Sequence, residues 1–226
     1  MLPDAQRALA GDLRVSRAGG DGEITRFMCG YFGCETSAGH MFLSGLPPIL
    51  KLRLRDGAGG DWIERAIRYL GTEDAAGEGR LALLSKLSEA LLVETLRRYM
   101  VGLSPAQTGW LAGARDPIAG HALALLHREP SRPWSVAALA REVGAARSVL
   151  IDRFHHFLGE PPMSYLARWR LQLGARLLVT TTRSVVEIAG DVGYRSEASF
   201  NRAFKRQFRL PPGRYRREAK SPAAPA

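Results

Sequence analysis

Arginine and lysine are the side chains of this sequence with the most evident chemical use, and their position decides what that use is. Residues 1–115 hold 14 of them against 13 Asp and Glu, a net of +1, whereas residues 116–220 hold 18 against 9, a net of +9. Nearly all of the +10 carried by the 226-residue chain is therefore C-terminal. An excess confined to one region is the footprint of a polyanionic partner, not of a uniformly basic protein.

The other reactive residue types lead nowhere comparable. Cys29 and Cys34 stand in CGYFGC with four residues between them, where a zinc or redox pair has two, and no second pair follows. Buried, inert thiols are expected. His155 and His156 are adjacent, so on a helix they point apart and cannot share a metal ion. No Ser-His-Asp set, carboxylate pair or phosphate-cradling glycine loop is present, and GAGG at 57–60 reads as a loop. No catalytic residue, metal or cofactor is expected, and the chain does not read as an enzyme. The N-terminus lacks the apolar run of a signal peptide, and no stretch approaches the length of a membrane span. A cytoplasmic protein with no membrane partner is implied.

Those cations must be positioned by something, and the order of elements supplies it. Residues 1–22 are weakly patterned and are expected to be loosely attached. Residues 23–55 read as strands: EITRFMCGYF is aromatic and β-branched, and LKLRLR alternates at period two. From Asp61 the period becomes helical. A helix ending before Gly71 and a long one through Leu81, Leu84, Leu87, Leu91, Leu96 and Tyr99 form a hairpin. The hairpin can cover the strands before it, form a homodimer through the 81–100 helix, or both. Trp110 to Pro117 reads as a connector. The rest is helical to Tyr215, with breaks at 129–133, Gly144, 159–162, 180–183, Gly193 and 210–213.

Inside that region the sequence repeats. SVAALAREVG at 135–144 matches SVVEIAGDVG at 184–193, and each copy runs on into an apolar helix bearing arginines. A helix-turn-helix requires this pattern. A small residue is needed where the two helices touch, and Ala140 and Ala189 fill that place. A residue tolerant of positive φ is needed at the turn, and Gly144 and Gly193 fill that. Val149, Leu150, Phe154 and Phe157 in the first copy, and Phe200, Phe204 and Phe208 in the second, are expected to point back at the first helix. Phe154 follows its glycine by ten residues and Phe204 by eleven, so the second turn is one residue longer. PPMSYLARWRLQLGARLLVTT lies between the copies, with Met163, Leu166, Trp169, Leu173, Leu177 and Leu178 as one apolar stripe. A single linker helix would fix the spacing of two reading helices, which suits two successive major grooves roughly 34 Å apart.

The stretch from WSVAALAREVG to PPGRYRR, and most specifically GYRSEASFNRAFKRQF at 193–208, resembles the AraC/XylS transcription regulators. The resemblance implies a mainly α fold: a C-terminal double helix-turn-helix domain joined by a linker helix, preceded by a helical hairpin and a short residual β segment. It implies residues 1–115 as a truncated cupin-like sensor arm with a possible dimer contact, 116–217 as the DNA-binding domain, and 218–226 as a disordered tail. About 55 residues precede the hairpin, too few to close a barrel of about eight strands. Either the sensor is truncated or the start codon is misplaced, and the two readings differ in whether a small-molecule effector is bound.

By the same resemblance the base-reading positions are Arg147, Ser148, Ile151 and Asp152 in the first motif, and Ser196, Glu197, Ala198, Ser199 and Arg202 in the second. Arg202 suits a bidentate pair with guanine, Glu197 can accept from cytosine, and Ser199 can bond a base edge or a phosphate. Arg153 serves bases or phosphates. Arg195, Lys205, Arg206, Arg209, Arg214, Arg216 and Arg217 are expected on phosphates, where they set register without reading sequence. Double-stranded DNA is the implied partner and RNA polymerase a further one, and the function implied is an activator of transcription. The alternative reading is a regulator that occupies DNA constitutively without sensing an effector.

Overall fold

A computed structural model describes residues 60–70, 79–104 and 107–220, together with a few isolated residues ahead of them. Most of the segment expected as strands at 23–55, both cysteines and the N-terminal 21 residues lie outside the described residues, and the few described positions of that segment, 46, 47 and 49–51, are not in strands. Every regular element among the described residues is helical, so the mainly α expectation holds there. The chain falls into two compact units, and the helices of the second all lie beyond Leu103.

The first unit contains α1 (Gly60–Leu70) and α2 (Arg80–Gly102). Ala66 of α1 is buried. On α2 the Glu94 carboxylate takes Arg97 Nε at 2.6 Å and Arg98 Nε at 2.9 Å. These two guanidinium groups hold the carboxyl down at about 2. Val93 and Val101 of the same helix are exposed.

The second unit holds α3 (Trp110–Arg115), α4 (Pro117–Arg128), α5 (Val136–Glu142), α6 (Arg147–Leu158), α7 (Pro162–Thr180), α8 (Val185–Asp191), α9 (Glu197–Phe208) and α10 (Pro212–Lys220). Local chemistry explains most of these boundaries. Asp116 caps α4 by accepting from the amides of Ile118 at 3.1 Å and Ala119 at 2.8 Å, with Pro117 in the first turn. Ser135 caps α5, and Ser184 with Glu187 forms a reciprocal capping box on α8. Gly144 and Gly193 close their turns at φ 68° and 85°, as the repeat requires.

Two features depart from the sequence reading. The segment read as a connector contains α3, whose Leu111 and Ala112 are buried. Tertiary contact makes this short helix: the Gly109 amide donates to Phe157 O at 2.8 Å. The linker α7 does not carry a single stripe. Its first half gives Tyr165 and Leu166 to one core, with Leu126, Leu139, Leu150 and Phe154. Its second half gives Leu171, Ala175 and Leu178 to another, with Ile188, Ala189, Phe200 and Phe204. One helix is thus shared by two small cores, one under each motif. Fully burying a Leu or Phe side chain contributes about 1.5–3 kcal/mol, so both cores depend on the single helix between them.

Candidate nucleic-acid interface

The second helices of the two motifs, α6 and α9, share one burial register at an offset of 50: Leu150 matches Phe200, and Phe154 matches Phe204, all four fully buried. At 3.6 residues per turn the opposite face is then fixed. On α9 it carries Ala198, Arg202, Lys205 and Arg209, with Arg206 beside them, all exposed. On α6 the matching positions are Ser148, Asp152, His155 and Gly159, with His156 beside them. Asp152 therefore stands where Arg202 stands, and the two histidines stand where the second motif has Lys205 and Arg206. The sequence offset of 49 for the first helices and 50 for the second follows from the longer second turn.

The expected site residues divide by what they already touch. Arg147, Arg195, Arg202, Lys205, Arg206 and Arg209 are exposed and enter no ion pair among the described residues. Arg202, Lys205, Arg206 and Arg209 line one shallow depression on the surface. Arg153 instead reaches Asp116 Oδ2 at 3.4 Å, turning it toward the start of α4. Ile151 is half-buried on the flank of α6. Val149, expected to face inward, is 38% exposed because it lies off the Leu150–Phe154 side.

The serines of the second motif serve the helix itself. Ser196 Oγ accepts from the Ser199 amide at 3.2 Å, and Ser199 Oγ donates to Ser196 O at 2.7 Å. Glu197 opens the helix at the flank, where its carboxylate accepts from Asn201 Nδ2 at 3.4 Å. A carboxylate in the first turn also suits the positive end of the helix dipole. The first motif has no such cap: Ala146 stands at the N-cap of α6.

Two arginines expected on phosphates are occupied within the fold. Arg216 Nε donates to Leu178 O at 3.0 Å, and its Nη2 bonds Arg183 O. Arg214 pairs with Glu218 at 2.7 Å. At the C-terminal end of α9, Arg209 takes the left-handed conformation at φ 62°, where the first motif has Gly159 at φ 71°.

Behind α6 lies a polar cluster in an otherwise apolar core. Trp110 Nε1 donates to Tyr165 Oη at 2.8 Å, and Tyr165 Oη meets His127 Nε2 at 2.7 Å. His127 also stacks on Trp169 with ring centroids 4.1 Å apart. Burial pushes the Tyr165 hydroxyl up to about 12 and lowers the His127 imidazole from its ordinary value. A neutral His127 accepting the tyrosine proton satisfies the set.

Among the described residues no group of three or more His, Cys, Asp or Glu lies close enough to hold a metal ion. Among them, too, no helix is long and apolar enough to cross a membrane.

Two helical cores, each including the inner face of one half-exposed helix and joined by one shared helix, define a protein with paired helix-turn-helix motifs. A family model described as a helix-turn-helix domain matches residues 139–218, and one described as a cupin matches residues 2–101. A putative AraC-like transcription regulator of Streptomyces lividans is 36% identical across 92% of this chain and 68% of its own length. The RCS-specific HTH-type transcriptional activator RclR of Escherichia coli is 31% identical across 87% of this chain and 69% of its own. Among solved structures, the DNA-binding domain of AdpA in complex with a target DNA is 31% identical, covering 48% of this chain and 99% of that one with a TM-score of 0.44. The chain belongs to the AraC-like transcription regulators and carries their helix-turn-helix domain. Its relatives are regulators and not enzymes, in line with the absence of a catalytic constellation in the sequence.

Proposed function

We propose that this chain binds double-stranded DNA in the cytoplasm as an activator of transcription, with α6 and α9 entering two successive major grooves. The observation that carries the reading is the cation row on α9. Arg202, Lys205, Arg206 and Arg209 stand exposed on one face without carboxylate partners, while most of the other arginines in this unit are paired or bonded within the fold. Cations left unpaired on a helix that a rigid core pushes outward suit a phosphate backbone. Arg202, central on that face, is placed to reach a guanine edge.

The two motifs divide the work unequally. The second supplies most of the electrostatic attraction. The first, with Arg147, Ser148, Asp152 and two histidines, contributes base discrimination and little net charge, Asp152 accepting from cytosine. The unit from Leu103 onward is the DNA-binding part, and residues before it form the cupin-type arm. Dimer formation through α2 and a contact with RNA polymerase belong to the same reading, as does the activator role named for the related RclR protein.

Selection of duplexes from a random library by the full chain tests this. Two half-motifs with centres about 10–10.5 base pairs apart are expected. Arg202→Ala should relax preference at one position and cost about 1–3 kcal/mol. Equal weakening on every sequence would remove Arg202 from the base-reading set. Enrichment of no sequence would overturn specific recognition altogether.

A further inference from the structure

Arg170 sits in the middle of α7, at the point where the helix passes from one core to the other. Its side chain leaves the helix toward the loop ahead of α5. Nε donates to Pro130 O at 2.7 Å and Nη2 donates to Arg132 O at 2.8 Å. It is half-buried and makes no ion pair among the described residues, so backbone carbonyls alone take its hydrogen bonds. Burial accordingly lowers its pKa from the ordinary arginine value. A cation taken out of water for two loop carbonyls is an expensive device for holding a loop, and its other neighbour explains the choice.

That neighbour is Gly193, the turn glycine of the second motif. A Cβ placed on Gly193 would lie 2.8 Å from Ser131 Cα and 3.0 Å from the Arg170 guanidinium carbon. The turn between α8 and α9 is thus seated directly on the loop ahead of α5, with the arginine between them. The loop is itself braced: Arg132 pairs with Glu129 at 3.2 Å and Glu142 at 2.6 Å, and its guanidinium covers the Trp134 ring at 4.0 Å. The cores of the two motifs share only α7, which alone would let them twist about its axis. The approach of Gly193 to Ser131 and Arg170 is a second connection between the two motifs besides α7.

We propose that Arg170 is a positioning residue that fixes the angle between the two reading helices, and so the half-site spacing this regulator accepts. The effect on DNA rests on the two-groove reading above; the effect on the joint does not. One inserted base pair rotates a half-site by about 34–36° and moves it by about 3.4 Å. A joint locked by Arg170 rejects that change, and a free one follows it.

The test has two arms on the full-length chain. In the first, Cys29→Ser and Cys34→Ser clear the chain of native thiols, and spin labels are placed at Ser148→Cys and Ala198→Cys. Pulsed electron resonance then reads the distance between α6 and α9 without DNA. A single narrow distribution is expected in the parent, a broad or shifted one in Arg170→Gln, and partial narrowing in Arg170→Lys. In the second arm, the selected duplex is rebuilt with one base pair added or removed between half-sites. The parent should lose about tenfold in affinity and Arg170→Gln less than about threefold, with binding to each half-site alone unchanged. Circular dichroism checks helicity. Should Arg170→Gln lose helix, Arg170→Lys, which keeps the charge and a donor to the loop carbonyls, carries the same two measurements and should give changes of the same sign and smaller size. Unchanged distances together with an unchanged spacing ratio would overturn the proposal. A clear change in distance with no bipartite DNA preference in the parent would sink the two-groove reading and leave the joint standing.

Discussion

The division between cations left for DNA and cations used by the fold can be measured as a salt slope. Lys205, Arg206 and Arg209 stand on the outward face of α9 with no carboxylate partner, and each is assigned a phosphate. Counterion release makes log K fall with log salt by about 0.9 per phosphate neutralised. Replacing all three with alanine should therefore flatten the slope by about 2.7. Between about 50 and about 200 mM salt, a fourfold step, the wild type should lose roughly 40-fold more affinity than the triple variant. Thermal stability should barely move, because none of the three side chains is bonded within the fold. Arg216→Ala is the internal control. Its guanidinium closes the end of α7 on the Leu178 and Arg183 carbonyls, so stability should fall while the slope stays as it was. Fluorescence anisotropy on one labelled duplex across a salt series reads both variants. A triple variant with the wild-type slope would refute the phosphate assignment. A flattened slope in Arg216→Ala would refute the sorting of the two groups.

Two further predictions concern the folded state. Burial lowers the His127 pKa below the unfolded value near 6.5, so the unfolded chain binds a proton that the folded chain refuses. Stability from this site is whole above about 6.5 and drains away as pH falls below it. Urea midpoints from pH 7.5 down to about 5 should show that decline, and His127→Gln should weaken it; an equal decline in both proteins would place the effect elsewhere. The unequal caps give the second. Ser196→Ala should cost about 1 kcal/mol in the second motif, and Ala146→Ser should gain a similar amount in the first. Opposite shifts in melting temperature are expected, and shifts of the same sign would contradict the capping geometry.

Much of this architecture was legible because its signals are local. Gly144 and Gly193 mark turns by backbone conformation, and the proline pairs at 161–162 and 211–212 mark helix starts. The one-residue difference in turn length could be counted from Phe154 and Phe204. The capping box of Ser184 and Glu187 is equally local. What escaped depends on partners distant in the chain. Nothing near Trp110 says that Phe157 will hold α3 in place. Arg153 and Arg216 look like any other arginine of a basic domain until Asp116 and the end of α7 are brought beside them. Ser196 and Ser199 read as base contacts by resemblance, while their hydroxyls are engaged in closing the helix. Arg170 gave no sign at all: its carbonyl partners lie 40 and 38 residues away.

Arg209 carries a consequence for how far this domain can be improved. A non-glycine residue in the left-handed region costs about 1–2 kcal/mol, and the first motif avoids that cost with Gly159 at the same place. The second motif keeps an arginine there, on the rim of its basic depression. The position is thus held by two opposed demands: the backbone favours glycine and the surface favours a cation. Any programme of thermostabilisation would select glycine at 209 early, and under the proposed function each gain in melting temperature made there would be drawn from the attraction assigned to this face.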